Sequence, residues 1–86
     1  MNIVIYSKPN CIYCEKSKEY LKKCKIEYKA VELDPTTSGY TIDRDALFYR
    51  YNHKSFPLIL IDNVFIGGYT QLINTVKPKI TFDEDF

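Results

Sequence analysis

Ile3 to Tyr6 form a short run of β-branched and aromatic side chains, Pro9-Asn10 breaks it, and from Cys11 to about Cys24 there is neither glycine nor proline. A strand that passes through so tight a break into a helix commits the chain to an α/β architecture. The next strand has to return beside the first by a right-handed crossover, which makes that pair parallel. In the helix, Cys14, Ser17, Leu21 and Cys24 recur at helical spacing and give an inner stripe of mostly small side chains. Asn10 is expected to cap the helix, and Glu19 stands four residues before Lys23 for a surface pair.

Tyr28, Ala30, Val31 and Leu33 make a second strand, closed by Asp34-Pro35 and a polar stretch through Gly39. Arg44, Ala46, Leu47, Phe48 and Tyr51 predict a second helix, starting near Thr41 or Asp43 and ending near Asn52. Leu58 to Ile61 and Val64 to Ile66, on either side of Asp62-Asn63, read as a hairpin. Gly67-Gly68 ends it, and Tyr69 to about Val76 predicts a short third helix before Pro78. The expected fold is therefore strand, helix, strand, helix, hairpin, helix: a four-stranded mixed sheet with helices on both faces, one domain over residues 1–86.

The chain has the composition of an ordinary globular domain, 45% hydrophobic with eight Tyr, five Phe and three Gly. Twelve Lys and Arg against eleven Asp and Glu leave a formal charge of +1, which removes the electrostatic case for nucleic acid or an anionic membrane as partner. Lys16, Lys18, Lys22, Lys23, Lys25 and Lys29 crowd the first third and Asp83, Glu84 and Asp85 the end; these read as a solvated helix face and a frayed terminus. The apolar start stops at Ser7-Lys8-Pro9, so neither a secretory signal nor a membrane span is expected, and the expected location is cytoplasmic.

Three cysteines cannot all pair internally, and a C-x-x-C in a reducing compartment points to redox or metal chemistry. Residues three apart on a helix share a face with Cβ atoms roughly 5–6 Å apart, close enough for Cys11 and Cys14 to cycle between dithiol and disulfide. At the helix start Cys11 meets unpaired N–H groups and the positive end of the helix dipole, which favour its thiolate and make it the nucleophile. Lys8 and Lys16 flank it. Cys14, one turn in, is the resolving thiol. A zinc site would need two further ligands; Cys24 lies ten residues along the same helix, about 15 Å away at the helical rise, so no metal is expected. Cys24 reads as a buried small apolar residue, and His53 as a polar loop residue without the Ser or Asp partners of a hydrolytic triad.

Ser7-Lys8-Pro9-Asn10-Cys11-Ile12-Tyr13-Cys14 after its strand, Lys54-Ser55-Phe56-Pro57, and Ile66-Gly67-Gly68-Tyr69 together resemble the glutaredoxin family. They match its Lys-x-x-Cys-Pro-Tyr-Cys motif, its Thr-Val-Pro segment and its Gly-Gly turn, in that family's order. The resemblance implies a thioredoxin-like fold and a glutathione-dependent oxidoreductase that reduces protein disulfides and glutathione mixed disulfides, with ribonucleotide reductase a common client; the oligomeric state is open, with a monomer the default expectation. It also implies that Pro57 is the cis-proline beside the active site and that Phe56 offers its backbone to glutathione. Lys8, Tyr13 and Lys54 would flank the tripeptide, the lysines pairing its glycine carboxylate. The N–H groups of Tyr69 and Thr70 after Gly68 would hold the γ-glutamyl carboxylate.

Three positions depart from the family pattern: Ile12 replaces a proline, Phe56 replaces a small β-branched residue and is expected to crowd the groove, and Thr70 replaces an Asp or Ser. Other functions on the same framework are a thioredoxin-like reductant driven by a flavin reductase, a carrier of an iron–sulfur cluster, and an adaptor with idle thiols. The chain has no Trp, whereas thioredoxins carry one before the first cysteine, and the second cysteine, Cys14, speaks against a dedicated cluster carrier. An adaptor would be indifferent to Cys11→Ser.

Overall fold

In the computed structural model, which describes residues 1–77, the chain runs β1 (Ile3–Ser7), α1 (Ile12–Lys23), β2 (Lys29–Glu32), α2 (Tyr40–Tyr51), β3 (Leu58–Ile61), β4 (Val64–Gly67) and α3 (Tyr69–Thr75). The acidic end at Asp83, Glu84 and Asp85, and Pro78 as a helix stop, lie outside the described residues. The sheet order is β2-β1-β3-β4. β2 lies parallel to β1, with Ser7 opposite Glu32. β3 runs antiparallel to β1, and β4 antiparallel to β3. The mixed four-stranded sheet expected from the sequence is thus present.

Alternation along β1 explains the layers. Ile3, Ile5 and Ser7 are buried on one face, where Ile3 and Ile5 join Leu21, Ile59, Leu72 and Val76 in the core beneath α1 and α3. Val4 and Tyr6 point to the other face, beside Leu60 and Leu58 in register. There α2 covers the sheet more loosely: none of its residues is fully buried, and its contacts include Phe48 on Phe56 and Tyr51 on Phe65.

The small-residue stripe of α1 is as expected, with Cys14, Ser17, Leu21 and Cys24 all buried. The hairpin turn is closed by Asp62 and Asn63 at φ 51° and 68°, the left-handed pair that suits strand twist. Asp62 also exchanges two hydrogen bonds of 2.7 Å with the backbone of Asn2, one through its N–H and one through its carboxylate.

Several boundaries differ from expectation. α2 begins at Tyr40, because Gly39 at φ 90° supplies a left-handed entry that the apolar spacing does not reveal. It ends as expected, on Asn52, whose left-handed φ of 51° stops the helix. β2 is an edge strand whose residues are exposed or half-buried. The surface pair Glu19–Lys23 is not formed; Lys18 instead reaches Glu15 and Glu32.

Leu21 has no exposed surface and stands at the centre of the α1–sheet contact. Leu21→Ala is expected to cost about 2–5 kcal/mol, read from urea unfolding as a lower midpoint with an unchanged m-value.

Candidate active site

Three residues, Lys8-Pro9-Asn10, carry the chain from β1 into α1. Asn10 adopts a left-handed φ of 59°, so it cannot cap the helix as the sequence suggests. The next residue takes the extended conformation an N-cap requires: Cys11, at φ −116° and ψ 107°, caps α1 and its Sγ accepts the Cys14 N–H at 3.2 Å. Cys11 and Cys14 are joined as a disulfide with their Cα atoms 5.2 Å apart. Cys14 is wholly buried, whereas Cys11 keeps 9% of its surface exposed. Cys11 is thus the sulfur that an external partner can reach.

Two segments distant in sequence wall this end of the molecule. The Phe56-Pro57 peptide bond is cis, as the sequence resemblance implies. Gly67 sits at φ 124°, a conformation favouring glycine, and a Cβ there would lie 2.8 Å from the Gln71 side chain. Gln71 has a task in that position: its Oε1 accepts the Gly68 N–H at 2.9 Å and caps α3. A Cβ on Gly68 would stand 3.4 Å from the Pro57 carbonyl oxygen, so the cis-proline loop and the start of α3 nearly touch.

Between them and Tyr13 runs a groove of about 210 Å³ lined by Tyr13, Phe56, Pro57, Gly68, Tyr69 and Thr70, together with His53, Ser55 and Gln71. Tyr13 and Tyr69 face each other across it, ring centroids 5.6 Å apart. Lys8 and Lys54 line an adjoining groove of about 360 Å³ with Arg44, Phe48, Phe56 and Ser55. Phe56 divides the two, its ring 5.1 Å from that of Phe48 and 5.9 Å below the Lys8 ammonium. The ring therefore packs on α2 and leaves the first groove open.

All ten residues singled out in the sequence thus stand around one end of the sheet: Cys11 and Cys14 at the helix, six in the first groove and the two lysines in the second. Three more line the first groove without having been singled out for it. Gln71 is signalled by its place three residues after Gly68, the spacing of a capping box. His53 is set beside the groove by its edge-on contact with Phe65 at 5.2 Å, a tertiary contact with no local sequence signal, and Ser55 follows it.

Behind the dithiol, Lys18 binds the Glu32 carboxylate at 2.7 Å, and Glu32 also accepts the hydroxyl of buried Ser7. The hydrogen bond from Lys18, followed by that from Ser7, holds the Glu32 carboxyl below its ordinary range; the same bond to Glu32 raises Lys18. Cys24 is a buried free thiol. Among the described residues no three His, Cys, Asp or Glu side chains converge as metal ligands.

A cysteine pair capping the first helix of this sheet, opposite a cis-proline, defines the class: a dithiol protein of the thioredoxin fold. Residues 3–66 match the family model described as Glutaredoxin, and the chain belongs to that family. It is 37% identical over 68 residues to mitochondrial glutaredoxin-2 of Pongo abelii, covering 79% of this chain and 42% of that protein. To glutaredoxin 1 of Rickettsia prowazekii (strain Madrid E) it is 33% identical over 76 residues, covering 87% of this chain and 77% of the relative. The chain thus spans under half the length of the mitochondrial relative. The crystal structure of a buckwheat glutaredoxin–glutathione complex superposes with a TM-score of 0.73 at 26% identity, over 80% of this chain and 62% of that one.

Two outcomes follow from these contacts. Gly67→Ala is expected to lower stability by about 1–3 kcal/mol, as a strained φ and a displaced Gln71 cap combine; the fall in urea midpoint measures it. Glu32 stabilises the fold above the ordinary carboxylate range, and that contribution is lost as pH falls through its depressed folded value. Lys18 mirrors this at the alkaline end, its contribution complete below its ordinary range and lost as pH rises through its raised value. Because Glu32 is 47% exposed, the pair is worth about 0.5–1 kcal/mol. Glu32→Gln should therefore be less stable than the parent by that amount at pH 7, and the difference should vanish as pH falls through the depressed folded value of Glu32, as urea unfolding across the acid range measures.

Proposed function

We propose that the protein is a glutathione-dependent thiol–disulfide oxidoreductase that reduces protein disulfides and glutathione mixed disulfides through Cys11 and Cys14. The observation that carries this reading is the placing of Cys11, the more exposed sulfur of the disulfide, at a helix N-cap beside a groove walled by Tyr13, Pro57 and Gly68. The family membership and the glutathione named in the buckwheat complex point to the same co-substrate.

The chemistry follows from the two sulfurs' surroundings. In the dithiol state the Cys14 N–H and the open first turn of α1 favour the Cys11 thiolate. That thiolate attacks a glutathione mixed disulfide; the S–S bond breaks, the client leaves as a thiol, and Cys11 carries glutathione. A second glutathione thiolate attacks this bond, releasing oxidised glutathione and restoring Cys11. With a protein disulfide, Cys11 forms a mixed disulfide with the client and Cys14 loses its proton and displaces the client's second thiol. This leaves the Cys11–Cys14 disulfide, which two glutathiones reduce. The protein-disulfide cycle moves two electrons from two glutathiones to the client, whereas the mixed-disulfide cycle consumes one free glutathione, the other half of the oxidised product coming from the client. Ribonucleotide reductase, the client the family resemblance suggests, would be served by the protein-disulfide route, through a disulfide of its own.

For binding, the reading places the tripeptide along the first groove. Its cysteinyl backbone lies against Phe56 and Pro57, and its γ-glutamyl carboxylate on the first N–H groups of α3 at Tyr69 and Thr70, which have no acceptor within the helix. Lys8 and Lys54 take the glycine carboxylate. Among the described residues neither lysine has a carboxylate partner, so both charges are available for an incoming anion.

A coupled assay tests the reading: NADPH, glutathione reductase and glutathione, with a glutathionylated thiol and then a protein disulfide as substrate. Cys11→Ser is expected to fall to background on both. Cys14→Ser should keep turnover of the mixed disulfide and lose reduction of the protein disulfide. Absence of glutathione-dependent turnover in the parent protein, with reduction by a flavin-dependent thioredoxin reductase in its place, would sink the glutathione assignment.

A further inference from the structure

The Lys18–Glu32–Ser7 cluster lies beside the dithiol and has no task in the cycle just described. We infer that the Lys18–Glu32 pair sets the reduction potential of the Cys11–Cys14 disulfide, by holding the net charge beside the two sulfurs near zero; this rests on the redox role proposed above for these cysteines.

Position comes first. Lys18 follows Cys14 by four residues on α1, so their Cβ atoms are roughly 5–6 Å apart on one face. At the helical turn per residue it lies only about 40° round the helix from Cys14, on the side toward Cys11. Its ammonium binds Glu32 at 2.7 Å and Glu15 at 3.5 Å. Glu32 is directly opposite Ser7 in the parallel register, and Ser7 is the residue from which the chain departs for Cys11. The ion pair therefore spans α1 and β2 at the end of the sheet that carries the dithiol.

Depth comes second. The Lys18 side chain is 17% exposed, so water screens it weakly. Of the other cations near the site, Lys8 stands above Phe56 and Lys16 above Tyr13, Arg44 lies over Tyr40, and Lys54 is exposed. His53 lies across the groove with Ser55, and Glu15 is largely exposed.

Reduction takes two electrons and two protons from a dithiol reductant, which becomes its own disulfide. It turns the neutral Cys11–Cys14 bond into two thiols, and Cys11 then releases its proton to solvent in part. Negative charge thus appears in the reduced state alone. A neighbouring cation stabilises that state and makes the disulfide easier to reduce; a neighbouring carboxylate does the opposite. While Lys18 and Glu32 are paired, the two influences offset each other.

The experiment equilibrates the parent protein, Glu32→Gln, Lys18→Met, Lys18→Arg and the Glu32→Gln/Lys18→Met double variant in oxidised and reduced dithiothreitol at pH 7. Free thiols are then trapped by alkylation and counted by mass. Glu32→Gln should be reduced more readily by about tenfold, a rise of about 30 mV for a two-electron couple. Lys18→Met should shift the opposite way, and the double variant and Lys18→Arg should both lie near the parent. A purely structural bond gives a different pattern, since breaking it from either side moves the equilibrium in the same direction. Same-direction shifts, or shifts within about twofold for both single variants, overturn the inference. The readout uses no glutathione, so a protein inert toward glutathione would still report on this pair.

Discussion

The seating of α1 on the sheet fixes where the dithiol stands. That contact is made by Cys14, Ser17, Leu21 and Cys24, three of them small and all of them buried. The buried polar member is satisfied within the helix, where the Ser17 hydroxyl donates to the Tyr13 carbonyl at 2.7 Å. Farther along, Leu21 enters the core and the Tyr20 hydroxyl donates to the Val76 carbonyl, tying α1 to the end of α3. With its body anchored, the helix has little freedom to slide, and its N-cap stays level with the end of β1. Cys14 is then inevitably covered and Cys11 inevitably at the rim, because one belongs to the stripe and the other precedes the first turn.

The facing wall depends on the hairpin. Pro57 immediately precedes β3 and Gly68 immediately follows β4, so antiparallel pairing that places Ile59 opposite Gly67 brings the two flanks together. Eleven residues apart in sequence, they become neighbours without any contact of their own having to draw them in. The close approach then selects small groups: a side chain on Gly68 would press on the Pro57 carbonyl, and one on Gly67 would displace the Gln71 side chain that caps α3. The groove is thus a by-product of sheet register, tuned by two glycines.

Most of this frame was legible because it rests on local pattern. The alternation in β1, the helical stripe of α1 and the two runs around Asp62-Asn63 each carry their own period, and their order alone requires a mixed sheet. What the sequence hid depends on partners distant along the chain or on unusual chemistry. Asn10 is a better cap by residue preference than Cys11, yet its left-handed backbone hands the role to a sulfur. Glu19 and Lys23 have the spacing of an ion pair, but Lys18, fourteen residues before Glu32 in sequence, finds a carboxylate on the neighbouring strand. Phe56 looks like an obstruction until Phe48, on a helix whose position no local signal gives, draws its ring aside.

The lysines around the dithiol divide by depth, and depth decides what a charge can do. Lys54 is exposed and Lys8 half-buried in a groove open to water, where a counter-ion from solvent competes with any ligand. A charge so placed attracts and orients a carboxylate but alters the neighbouring sulfurs weakly, because water screens it within a few ångströms. Lys18 is withdrawn between α1 and β2, where an unpaired ammonium would be costly and would act strongly on the thiolate beside it. Glu32 and the Ser7 hydroxyl remove that cost together, and in doing so they neutralise the field at the sulfurs. Recognition of an anionic co-substrate and control of sulfur chemistry both call for positive charge at this end of the sheet. Placing the unpaired cations outside and the paired one inside lets each be adjusted without disturbing the other.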